Sequence, residues 1–154
     1  EALRSSITAP VSPIKRVGNN RAPDLEAQAV LLKLAQTDRE VRAHEQAHLA
    51  AAGPHARGGP TYTFQRGPDG RLYAVGGEVA IDAAPVPGDP EATLRKAQTV
   101  RAAALAPAEP SSQDRSVAAQ AAQMAASAQA EILQQRVEAA YSDSRQSPTV
   151  SLIA

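Results

Sequence analysis

The sequence predicts an α+β fold in which several helices pack on one short antiparallel hairpin sheet. Three observations carry that prediction. Apolar residues recur at helical spacing in separate stretches along the chain. Two short runs rich in Thr, Tyr, Phe and Val flank the turn sequence Gly67-Pro68-Asp69-Gly70. Pro and Gly then punctuate the junctions between these stretches.

In chain order, residues 1–22 are rich in Ser, Pro, Asn and Arg and read as a flexible lead-in. From Asp24, Ala27, Val30, Leu31, Leu34 and Ala35 follow the spacing of an amphipathic helix. Thr37-Asp38-Arg39-Glu40 has the form of a capping box opening a second helix from about Asp38 to Ala52, and Gly53-Pro54 is a strong stop. Nothing between Gln36 and Asp38 breaks a helix, so the two can run together. After a loop, Thr61–Gln65 and Arg71–Val75 are the hairpin strands. Gly76-Gly77 is expected to make a bulge or bend, and Glu78–Asp82 to continue the strand. On that continuation Glu78, Ala80 and Asp82 share one face, Val79 and Ile81 the other.

Asp89-Pro90-Glu91 caps a helix running to about Leu105, with Pro90 at its first position and Pro107 and Pro110 beyond its end. Ser111-Ser112-Gln113-Asp114 caps a last helix to about Tyr141, with Val117, Ala121, Met124, Ala128 and Ile132 as its packing stripe. The expected organisation is thus one domain over 23–141, with its core in 37–107 and the C-terminal helix in 111–141. A tail follows over 142–154.

Composition narrows the function. Sixteen Lys and Arg balance sixteen Asp and Glu, so electrostatics gives no case for nucleic acid or anionic lipid as partner. Aromatic residues make up 3%, so the core must come from Ala, Val, Leu and Ile. With no cysteine there are neither disulfides nor thiolate metal sites. No apolar run approaches the ~20 residues of a membrane span. No signal-peptide pattern opens the chain, which makes the cytoplasm the default location and leaves export open.

His44-Glu45-Gln46-Ala47-His48 lies in the middle of the second helix. Residues four apart share a helix face, so His44 and His48 can present imidazole nitrogens to one zinc ion. Glu45, ~100° further round, can serve as general base without binding the metal. The fold class therefore sharpens to α+β with a zincin-like active-site helix. A catalytic zinc needs a third protein ligand. The spacing that would put Gly at 51 and His at 54 fails, because Ala51 and Pro54 stand there. Glu78 beside the double glycine is favoured, since backbone without side chains lets a carboxylate come close to the helix. Asp82 and His55 are alternatives, Asp82 also as an orienting partner of a histidine and His55 also as an oxyanion donor. Tyr62 and Tyr73 are further candidates for oxyanion donors.

The blocks Val41–Ala51, Gly67–Val79, Pro87–Thr93 and Ala102–Asp114 together resemble the SprA-related family of bacterial proteins, over roughly residues 38–125. The resemblance implies a bacterial origin and a shared domain. It places His44, Glu45 and His48 on the family's expected zinc-protease positions, and its Gly-Gly-Glu block on Gly76, Gly77 and Glu78. The function expected is a zinc metalloprotease, a hydrolase acting on a peptide or protein substrate with Zn2+ as cofactor and Glu45 as base. The alternative is a non-catalytic metal-binding or protein-interaction module, including a pseudo-enzyme.

Overall fold

The structure is a computed structural model that describes residues 24–146. The lead-in expected over 1–22 and positions 147–154 of the expected tail lie outside the described residues. Helix α1 spans Leu25–Ala52 and is followed by a 3-10 turn, Gly53–His55. Strands β1 (Thr61–Arg66) and β2 (Leu72–Glu78) form a two-stranded antiparallel sheet. Helices α2 (Pro90–Ala104) and α3 (Ser112–Gln146) complete the order. The class is mixed α+β, as expected.

The structure differs from the sequence expectation at four places. The two N-terminal helices are one 28-residue helix, and Thr37–Glu40 lies inside it. The Asp38 carboxylate does not cap. It accepts the Ala74 N–H at 2.7 Å and pairs with Arg42 one turn on, so it ties α1 to β2. The bulge falls at Val75, since Thr63 pairs with Gly76 and Phe64 with Ala74, whereas the two glycines remain in the ladder. Strand β2 ends at Glu78; of the expected continuation only Ile81 pairs, in a single bridge to Ala56. Helix α3 runs five residues past Tyr141, because nothing in Ser142–Gln146 stops it.

Alanine sets the packing. Ala97, Val100, Ala103 and Ala104 of α2 are buried against α3, whose Ala118, Ala121 and Ala128 repeat every third to seventh residue along one stripe. Such small side chains let the helix backbones approach closely. Helix α1 lies against both β2 and α2, so the middle of α1, the end of β2, the end of α2 and the start of α3 converge. At the end of α1, Gly53 takes φ 52° and its N–H bonds to the Leu49 carbonyl. That left-handed residue turns the chain towards the sheet. No described helix is long and apolar enough to cross a membrane.

Candidate metal centre

His44 and His48 sit one turn apart near the C-terminal end of α1, and their Nε2 atoms lie 3.1 Å apart. His48 is buried, and its Nδ1 is 2.9 Å from the Ala103 carbonyl at the end of α2. A carbonyl only accepts, so Nδ1 carries the hydrogen, and Nε2 is the nitrogen turned to the cleft. A backbone partner of this kind orients the metal-binding histidines of known sites.

The third donor comes from α3. Asp114 Oδ2 is 3.3 Å from His44 Nε2 and Asp114 Oδ1 is 3.3 Å from His48 Nε2. The local sequence puts it there. Asp114 Oδ2 accepts the Ser111 N–H at 2.7 Å, and the Asp114 N–H is 3.1 Å from Ser111 Oγ, a reciprocal cap on the first turn of α3. Burial works against this carboxylate's charge. The hydroxyl and N–H of Ser111, with His48 and His44, outweigh it, and its pKa lies below the ordinary aspartate value. Within the described residues His44, His48 and Asp114 are the one group of three such donors that converge, each within 4.8 Å of the others.

This donor set fits a divalent ion. Ligands ~2.0–2.1 Å from a tetrahedral zinc stand about 3.3 Å from one another, close to the separations here. Two imidazoles and a carboxylate are also an accepted zinc donor set.

Glu45 is 4% exposed, and its Oε2 is buried with no hydrogen-bond partner. Burial raises its pKa; His44 and His48 pull it down, and the charges of Asp114 and Glu78 push it up. Its seat is closed by Gly77, where an added Cβ would come within 2.7 Å of Glu45 Cγ and 3.0 Å of Oε1. Neither glycine of the pair has a left-handed backbone. Close approach is therefore what calls for glycine at 77.

These groups open into a cleft of about 460 Å³ whose walls include Gly77–Ile81 on one side and Ser111, Gln113 and Val117 on the other. The segment after β2 is held by two backbone bonds, Arg57 N–H to the Ala80 carbonyl at 2.7 Å and Asp82 N–H to the His55 carbonyl at 2.8 Å. Ala80 and Asp82 thus direct their backbone polar groups towards residues 55–57. Val79 and Ile81 make none of these backbone bonds, and no further strand pairs along this segment among the described residues.

The structure brings His44, Glu45, His48 and Glu78 to this cleft and leaves the other sequence candidates out of its lining. Glu78 is exposed on the rim and outside the donor group. Asp82 binds Lys96 at 2.9 Å and Arg57 at 3.0 Å, and His55 joins the segment pairing through its carbonyl. The Tyr73 hydroxyl donates to Asp69 at 2.7 Å, and Arg42 lies over the Tyr62 ring. Asp114 escaped sequence reasoning because the cap alone accounts for an acid at that position.

A sequence model of the SprA-related family matches residues 15–153. No curated protein matches this chain. No solved structure does either.

Proposed function

The chain belongs to the SprA-related family, and for this member we propose the function of a zinc-dependent metallopeptidase, hydrolysing peptide bonds. The observation that carries the reading is Glu45, a buried carboxylate with an unpartnered oxygen beside the converging His44, His48 and Asp114 donors. An orphaned polar atom in so enclosed a place costs folding free energy, and a catalytic role is one reason for a protein to keep it.

His44, His48 and Asp114 would hold the zinc, which when bound supplies a Lewis acid and brings the pKa of water down to about 7. Three protein donors leave a position for a reacting group, whereas a structural zinc is closed by four. One carboxylate oxygen of Glu45 takes the proton from the water that adds to the scissile carbonyl. The same oxygen returns it to the amide nitrogen as the C–N bond breaks, so the base ends as it began. Burial raises the Glu45 pKa, which strengthens the carboxylate as the base of the first transfer. His48 stays in one tautomer through Ala103. The edge at Val79 and Ile81 offers an extended peptide backbone hydrogen bonds by strand addition, which supports a peptide as substrate.

The test is zinc content and peptide cleavage of the parent, Glu45→Gln and Asp114→Ala proteins. Glu45→Gln should keep its zinc and lose turnover by ~10²–10⁴-fold. Asp114→Ala should lose zinc affinity by ~100-fold or more. A parent protein that binds zinc yet cleaves no member of a broad peptide library would refute the peptidase reading.

A further inference from the structure

The cleft is lined by three carboxylates, Glu45, Glu78 and Asp114, and by no Lys or Arg. Two of the three are committed. Asp114 faces the histidines, and Glu45 is buried against Gly77. Glu78 is different: it is exposed, and its carboxylate makes no hydrogen bond or ion pair among the described residues. It stands next to Gly77, which touches Glu45, and immediately before the open edge at Val79 and Ile81. A peptide lying on that edge, with its scissile bond over Glu45, would carry a side chain flanking that bond past the Glu78 carboxylate. The chain as a whole is neutral, so it carries no net charge that would by itself draw cationic peptides.

We propose that Glu78 is a specificity-determining residue at the mouth of the cleft, selecting peptides with a cationic side chain, Lys or Arg, beside the scissile bond. The inference rests on the peptidase reading for the pose of the substrate. It differs from a ligand role for Glu78 in what removal of the carboxylate does: selectivity changes while the metal stays. The neighbouring wall, Val79, Ile81 and Val117, is apolar and uncharged, so Glu78 is the exposed one of the three lining carboxylates and the one a substitution can reverse without touching the histidine–Asp114 group.

The experiment uses matched peptides carrying Lys, Gln or Glu beside the cleaved bond, with the full-length, zinc-loaded parent, Glu78→Gln and Glu78→Lys proteins. Zinc content and the kcat/KM for each peptide are measured, together with peptide affinity by fluorescence anisotropy in a Glu45→Gln background. The parent should prefer Lys over Glu by about fivefold, the size expected of one exposed charge pair. Glu78→Gln should erase that preference and Glu78→Lys should invert it, with zinc content unchanged in both. Loss of zinc on Glu78→Gln would make Glu78 a ligand and overturn the proposal. So would a preference that both variants retain, or an absence of preference in the parent. If the charge ranking appears in affinity while no peptide is cleaved, the peptidase reading falls and the role of Glu78 in binding stands.

Discussion

Replacing Gly77 by Ala tests whether the backbone of β2 holds Glu45 in place. The new methyl would lie 2.7 Å from Glu45 Cγ, 3.0 Å from Cδ and 3.0 Å from Oε1. Two carbon atoms rest at ~3.5–4.0 Å, so about 1 Å must be found. Two routes offer it. Glu45 can swing away, which moves the base and should lower kcat by ~10²–10⁴-fold with little change in melting temperature. Otherwise β2 retreats, straining its pairing with Tyr62 and the Asp38 bond to Ala74, at ~1–3 kcal/mol of overpacking. For an ordered domain of this size that is a fall of roughly 3–5 °C per kcal/mol. Gly76→Ala is the internal control, because its methyl would meet only Thr63 Cβ, at an ordinary 3.8 Å. It should leave melting and turnover unchanged, or raise the melting temperature slightly by restricting the unfolded chain. Thermal melts, zinc content and peptide turnover on both variants decide the matter. Equal behaviour of the two variants in all three would refute the argument from close approach.

Two further outcomes follow from the packing and the charges. Lys96 is the chief cause that holds the Asp82 pKa well below the usual carboxylate range, helped by the Ala84 N–H and Arg57. A depressed folded-state pKa adds stability that is present above the unfolded value of ~3.9 and lost as pH falls below it. Lys96→Met should therefore raise the pH of acid unfolding monitored by circular dichroism, and an unmoved midpoint would dismiss the pair's contribution. Val100 is the largest fully buried side chain among the described residues. Val100→Ala should cost about 2 kcal/mol by leaving a cavity between α2 and α3, read as a lower urea midpoint at constant slope.

Much of the helix that bears the candidate site was legible because its information is local. The spacing of His44, Glu45 and His48 needs only a helix, and Gly53-Pro54 announces where that helix stops. The Asp89 cap is likewise written in consecutive residues, and its carboxylate accepts the Ala92 N–H at 2.8 Å. The hairpin follows from its turn. Asp38 was misleading for the converse reason: its place in a capping pattern is local, but the Ala74 N–H thirty-six residues away claims its carboxylate.

What the amino-acid order determined by itself was therefore most of the elements, and two imidazoles on one face of a helix with an acid next to them in sequence. Tertiary structure alone decided which carboxylate meets those imidazoles. Asp114 lies sixty-six residues beyond His48, and its position depends on α2 and α3 packing through alanines that show no chemistry of their own. The same packing sets Gly77 over Glu45 and leaves Glu78 on the rim. Distances between separate elements are set by the volumes packed between them, and no spacing along the chain encodes that sum.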